Sequence, residues 1–277
     1  MVNVICAKNS SDRSFSYTHK KDNNPENIKF KLHNHIGYEI LVFLKGDADF
    51  IVEGSSYALK PMDIILTRKD EMHRILNTSP RTYERIVIHL QDSFFSDPMS
   101  SRYTEIFLSR KAGESNLIER DAVKKSGIFD ILLRIEKYAK EKNQQNELVI
   151  RCALTELLHQ LNELKTSGGI VQNETVKNII EYINSHLHDD LTLDALAEKF
   201  YISKYYLCRC FKQFTGFTVN RYITHRRIML VRELHREGKN LSAASSEAGF
   251  SSYSNFYKAY VNETGYPPSE GLSGNSR

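Results

Sequence analysis

Leu193-Asp194-Ala195-Leu196-Ala197, followed by Ser203-Lys204-Tyr205-Tyr206-Leu207-Cys208-Arg209-Cys210-Phe211-Lys212, spells a helix, a tight turn and a second helix. Leu193, Leu196, Ala197 and Phe200 recur at helical spacing, Tyr201-Ile202-Ser203 makes the turn, and Ser203 is a good N-cap for the second helix. On that helix Leu207, Cys210, Phe211 and Phe214 share the buried side, which turns Lys204, Tyr205, Cys208, Arg209 and Lys212 outward. The same logic returns at Gly249-Phe250-Ser251-Ser252, Phe256-Tyr257-Lys258-Ala259-Tyr260 and Gly265-Tyr266-Pro267-Pro268. Here Ser252, Tyr253, Asn255, Tyr257 and Lys258 are the exposed candidates. Two such units joined by one helix can set two recognition helices in successive major-groove segments of one DNA face. Sequence-specific binding of double-stranded DNA is the leading expectation.

The residue types divide the labour. A guanidinium grips the two acceptors of guanine in a bidentate manner, so Arg209 is the best base-edge candidate. Tyr205 suits a thymine methyl or a sugar. Lys204 and Lys212 suit phosphate, which positions a protein without reading sequence. In the second unit Asn255 and Lys258 are the residues able to hydrogen-bond bases. Charge supports the same picture: the chain carries +4 overall, but Lys199 to Lys239 sums to +8 and Asn240 to Arg277 to −1. A clustered stripe neutralises phosphates, whereas dispersed charge merely solvates a surface.

The stretch from about Thr175 to Glu270 resembles the paired helix-turn-helix domain of the AraC/XylS family of bacterial transcription regulators. The matching positions include Leu196-Ala197, Ser203, Leu207, Arg209, Phe211-Lys212, Phe214-Thr215-Gly216, Tyr222 and Arg227-Ile228, then Gly249-Phe250, Phe256, Lys258, Gly265 and Pro268. The resemblance implies that both recognition helices enter adjacent major grooves, and it adds Arg227 to the candidate DNA-binding residues. Three departures fall in the second unit: Ala244-Ser245 where the family has Ile-Ala, Val261-Asn262 where it has basic residues, and Gly271-Leu272 where it has Tyr-Arg. They imply a thinner core and fewer phosphate anchors there.

Upstream the pattern changes. Residues 1 to about 27 are polar, with Lys20-Lys21-Asp22-Asn23-Asn24-Pro25 marking a loop. From Ile28 to Leu90 short apolar runs alternate with turn signals at Lys45-Gly46-Asp47, Glu53-Gly54-Ser55 and Lys60-Pro61-Met62-Asp63, the spacing of a barrel or sandwich. After Asp97-Pro98 the period becomes helical, with one stripe at Ile128, Ile131, Leu132, Ile135, Tyr138 and Ala139 and another at Ile150, Leu154, Leu157, Leu158, Leu161 and Leu164. Ser167-Gly168-Gly169 reads as an interdomain linker. The expected architecture is α+β in two domains: a cupin-like β-barrel over 1–105, a helical dimerisation or linker segment over 106–170, and an all-α paired helix-turn-helix over 171–277.

Within the barrel region stands His33-x-His35-x3-Glu39-x6-Gly46, followed by Gly54, Pro61 and His73-x3-Asn77. On a strand His33, His35 and Glu39 share parity and project to one side, as do His73 and Asn77. This resembles the two cupin motifs, with Met62 where the second usually has glycine. Three readings stay open. His33, His35, Glu39 and His73 could hydrogen-bond a small effector, hold a divalent metal, or line a polar pocket with no specific ligand. The metal reading would make the chain a metal-dependent cupin enzyme with a vestigial DNA-binding tail. Fusion to a DNA-binding domain favours the sensor: a transcription regulator, not an enzyme and with no cofactor, whose DNA occupancy answers to a small polar effector such as a sugar.

The remaining expectations are coarser. No apolar run approaches the roughly 20 residues of a membrane span, and the N-terminus lacks a signal peptide's apolar core. Cys6, Cys152, Cys208 and Cys210 form no CxxC pair and read as reduced thiols. The expectation is a cytoplasmic protein that contacts no membrane. The two helical stripes could pack on their own barrel; the regulator family's habit of dimerising through such helices points instead to a homodimer, with Leu154 and Leu158 on the expected interface.

Overall fold

Residues read as polar and loop-forming near the N-terminus form two strands, β1 (Val2–Asn9) and β2 (Phe15–Asp22). Alternation hides β2, because its inward face is itself polar: Thr18, Lys20 and Asp22 point one way, Phe15, Tyr17 and His19 the other. The computed structural model describes residues 2–23, 25, 37–69, 71–141, 143, 145–171 and 173–272. His33 and His35 lie outside them. The chain divides into two units, Met1–Gln172 and Asn173–Arg277.

The first unit continues with β3 (Tyr38–Lys45), β4 (Ala48–Val52), β5 (Ser55–Leu59), β6 (Ile64–Thr67), β7 (His73–Asn77) and β8 (Tyr83–Leu90), and later β9 (Leu117–Ile118) and β10 (Ile170–Val171). Among the described residues they form two antiparallel sheets, in the orders β1-β2-β8-β3-β6-β9 and β10-β5-β4-β7. Short helices α1 (Pro98–Ser101), α2 (Glu105–Leu108) and α3 (Arg120–Lys125) precede two longer ones, α4 (Ile128–Lys140) and α5 (Asn146–Asn162).

The larger sheet is covered on both faces. Leu41, Phe43, Ile65 and Tyr83 meet Phe50, Val52, Tyr57 and Ile75 of the smaller sheet. On the opposite face Ile40, Val42, Ile86 and Ile88 pack in one core with Ile131, Ile135, Leu154, Leu157, Leu158 and Leu161 of the two helices. Double burial explains why β3 reads as an unbroken apolar run rather than an alternating one. It also corrects the expected interface. Leu154 and Leu158 are wholly buried against their own barrel, each contributing about 1.5–3 kcal/mol by leaving water.

Met62 has φ of 78° and donates its N–H to the Phe43 carbonyl at 2.6 Å. The turn needs a left-handed residue there, which is why the resembled motif carries glycine; an L-residue pays about 1–2 kcal/mol for it. Glu71, which is buried, accepts from both terminal nitrogens of Arg110, from the Gly113 N–H and from Asn116 Nδ2, tying the 110–116 loop to the barrel.

The segment marked as a linker is packed. Ser167 exchanges two backbone hydrogen bonds with Leu117, and β10 pairs with Ser55 and Ser56 of β5. A Cβ at Gly169 would lie 2.7 Å from Tyr57 Cζ and 2.9 Å from the Ser56 carbonyl. The Tyr57 hydroxyl is held by the Gly113 carbonyl and Asn116 Oδ1, so the ring has little freedom to yield. Gly169→Ala is expected to detach β10, speeding hydrogen exchange at Ile170, Val171 and Ser55 by about tenfold or more, with an overpacking cost of about 1–3 kcal/mol. Unchanged exchange at those amides counts against the docking.

The second unit is all helical: α6 (Glu174–Ser185), α7 (Leu193–Lys199), α8 (Lys204–Thr215), α9 (Val219–Arg236), α10 (Leu241–Glu247), α11 (Tyr253–Thr264) and α12 (Pro268–Leu272). α8 and α11 are built alike. Each has 12 residues, a serine cap (Ser203, Ser252) accepting from the third residue on, and a left-handed glycine (Gly216, Gly265) at its end. In each the last threonine, Thr215 or Thr264, bonds back to the carbonyl four residues earlier. α9 spans 18 residues, about 27 Å of rigid spacer at 1.5 Å per residue. No helix among the described residues is long and apolar enough to cross a membrane.

Candidate DNA interface and effector cavity

α8 presents the face that its periodicity requires. Leu207, Cys210 and Phe211 are buried, Phe211 edge-on to Tyr222 of α9 at 5.4 Å. Lys204, Tyr205, Cys208, Arg209 and Lys212 are all exposed. Arg209 and Lys212 have no ion-pair or hydrogen-bond partner among the described residues, while Lys204 Nζ lies 2.9 Å from Asp194 of α7. Tyr201, just before the helix, is 96% exposed. On α11, Ser252, Tyr253, Asn255, Tyr257 and Lys258 are exposed. The Ser252 hydroxyl is engaged as the helix cap, and Asn255 Nδ2 donates to Ser251 Oγ at 2.8 Å.

Arg227 is engaged within its own unit. Its Nε donates to the Leu187 carbonyl (2.9 Å) and a terminal nitrogen to the Asp189 carbonyl (2.7 Å). Burial lowers its pKa from the ordinary value. Gly249, left-handed at φ +88°, packs so close that a Cβ would meet the Leu187 carbonyl at 2.2 Å and Arg227 Nε at 3.0 Å. Arg227 and Gly249 therefore hold the loop after α6 against the second helix-turn-helix unit.

The small Ala244-Ser245 pair is fully buried, and aromatics occupy the neighbouring space: Phe256 lies 5.5 Å from Phe250 and 5.7 Å from Tyr260, with Tyr266 beyond. His225 of α9 is buried and bonds Glu263 of α11 at 3.0 Å, holding that carboxyl below its usual pKa.

In the first unit a cavity of about 230 Å³ opens between the sheets, with Lys20, Glu39, Phe50, His73, Tyr83 and His89 among its walls. Glu39 and His73, paired by motif alone, do converge: Glu39 Oε1 lies 3.6 Å from His73 Nε2. His73 Nδ1 donates to the Glu71 carbonyl at 2.8 Å, and its ring stacks on Phe50 at 5.4 Å. His89 is the residue that motif reading missed. It faces Glu39 across the β3–β8 ladder, and its Nε2 donates to Glu39 Oε2 at 3.0 Å. The signal was the parity of Arg85, Val87 and His89 on one strand. Deeper in, Arg85 bonds the fully buried Asp22 at 3.1 Å, and burial pushes the Tyr83 phenol up. Among the described residues no trio of His, Cys, Asp and Glu is arranged as metal ligands.

A family model described as an AraC-like ligand binding domain matches residues 21–158, and one described as a helix-turn-helix domain matches residues 196–273. The chain belongs to the AraC family of transcription regulators. YbfI of Bacillus subtilis, an HTH-type transcriptional regulator, is 26% identical over 230 residues, covering 82% of this chain and 81% of its own. The transcriptional activator RhaS of Mannheimia succiniciproducens is 24% identical over 249 residues, covering 89% and 90%. The regulatory protein PocR of Salmonella typhimurium is 30% identical over 120 residues, of which this chain spans only 39% of the relative's length. This AraC-family regulator thus joins an N-terminal ligand-binding domain to a C-terminal DNA-binding domain, and its matched ligand-binding segment runs from β2 through α5. All three relatives are regulatory proteins by name.

Proposed function

We propose that this regulator binds its operator as a cytoplasmic homodimer and that a small polar effector, seated in the cavity between the sheets, alters its DNA occupancy. Arg209 reads a base edge, Lys212 and Lys204 engage phosphate, and Tyr205 and Cys208 face the groove beside them. Ser252, Tyr253, Asn255, Tyr257 and Lys258 form the corresponding face of the second unit, while Arg227 acts by positioning. Glu39, His73 and His89 form the polar wall that the effector meets. No catalytic step is assigned to the barrel, and its relatives are regulators.

The observation that carries the reading is the exposure of Arg209 and Lys212 on a helix whose other side is sealed into the core. Dimerisation rests on a different face from the one the sequence suggests. Phe129 and Leu133, four apart on α4, are 44% and 51% exposed, and Leu148 and Val149 of α5 are exposed as well. The deciding experiment is selection from a random duplex library. A selected duplex is expected to bind about 10³-fold or more tighter than its scrambled version at physiological salt; equal affinity for both rejects sequence-specific recognition.

A further inference from the structure

The cavity is built in layers, and their chemistry differs. Strand register sets them out: Glu39 lies across from His89 in one layer, Thr18 and Leu41 flank Val87 in the next, and Lys20 and Phe43 flank Arg85 in the third. His89 and Arg85 lie about 13 Å apart along β8. The first layer holds a buried carboxylate beside two imidazoles. The middle one is apolar but for the Thr18 hydroxyl. In the third, two cations stand directly opposite one another on neighbouring strands, an arrangement that is destabilising by itself.

One of those cations is already neutralised. Asp22, with no exposed surface, pairs with Arg85. Lys20 lines the same cavity, half-buried, with no ion-pair or hydrogen-bond partner among the described residues. An ammonium partly withdrawn from water beside a guanidinium calls for an anion. Glu39 as a carboxylate only accepts hydrogen bonds, so what reaches it must donate. At about 230 Å³ the space falls just under the roughly 300–1,000 Å³ of pockets that take drug-sized molecules, and so suits a small metabolite.

We infer that the effector is a small carboxylate carrying hydroxyl or ammonium donors at its far end: the carboxylate meets Lys20, the donors meet Glu39, and the chain between them crosses Val87 and Leu41. This deepens the sensor reading and rests on it. A neutral sugar would satisfy Glu39 and leave Lys20 without a counter-charge. Sugar acids and ω-amino acids both present the required chemistry.

The test uses the full chain and isothermal titration at fixed ionic strength. One arm is sodium gluconate and sodium galacturonate, a second is 4-aminobutyrate and 5-aminopentanoate, and the controls are galactose and glucose 6-phosphate. At least one carboxylate arm is expected to bind, tenfold or more tighter than galactose, and whichever arm responds identifies the source. Lys20→Met is expected to weaken that carboxylate at least tenfold while Lys20→Arg restores it, both variants melting within a few degrees of the unliganded parent. Silence from both carboxylate arms, tighter binding of the phosphate ester, or a carboxylate affinity indifferent to Lys20→Met overturns the inference. Galactose binding that is insensitive to Lys20→Met and still shifts DNA occupancy overturns the carboxylate alone and leaves the sensor standing.

Discussion

Leu154→Asp is expected to unfold the ligand-binding unit rather than release a folded monomer. Leu154 has no exposed surface and sits in the core shared by α5 and the outer face of the larger sheet. Truncating a buried leucine costs about 2–5 kcal/mol through lost burial and the cavity left behind. An unpaired carboxylate in that cavity adds several more. The total, more than about 5 kcal/mol, matches the whole stability of an ordinary domain. Far-ultraviolet circular dichroism and urea melts should show loss of the cooperative transition.

The informative contrast is Phe129→Glu combined with Leu133→Glu. Those side chains are about half exposed in the chain itself, so surface substitution there costs the fold about 0.5 kcal/mol each. On the dimer reading the pair should convert the wild-type assembly to monomer by sedimentation. A Leu154→Asp protein that stays folded and merely dissociates would return the interface to the buried stripe. A wild-type monomer at tens of micromolar would remove the dimer.

The second large effect is on DNA. Arg209→Ala is expected to weaken a selected duplex by about 5- to 150-fold (about 1–3 kcal/mol) with little change on scrambled sequence. Lys212→Ala should weaken both duplexes alike and reduce the slope of log K against log salt by about 0.9, one phosphate contact's share. The double variant is expected to lose about 10²–10³-fold. Fluorescence anisotropy from 50 to 200 mM salt separates the two roles. Equal losses on both duplexes for Arg209→Ala would make it a phosphate ligand and leave base reading to other residues.

The charge count that singles out the first recognition unit needs the structure to be interpreted. The segment from Lys199 to Lys239 sums to +8, but its cations are not equivalent. Arg227 is bound to two carbonyls, Lys239 is paired with Glu247, Lys204 is close to Asp194, and Arg221 stacks on Phe217. The net figure is a property of composition, whereas the number of cations able to meet phosphate depends on which neighbours folding brings up. Arg209 and Lys212 lie outward on α8 with no such neighbour among the described residues.

The helical half of the chain is specified by its sequence alone. A serine cap, apolar residues at helical spacing and a closing glycine are all encoded within a dozen residues, so both recognition helices and their outward faces are legible by counting. The sheet half depends on partners distant in the chain. β2 escaped notice because its polar face lines a cavity rather than solvent, and His89 acquired meaning only when register set it against Glu39. The stripe on α5 is apolar whether it meets a second copy or its own barrel; only tertiary packing decided for the barrel. Arg227 likewise matches a family position by sequence, and only the fold places Gly249 and the Leu187 carbonyl around its guanidinium. Local signals survive in one dimension, but the identity of a buried partner does not, because long-range contacts are set by register and burial that no short window of sequence contains.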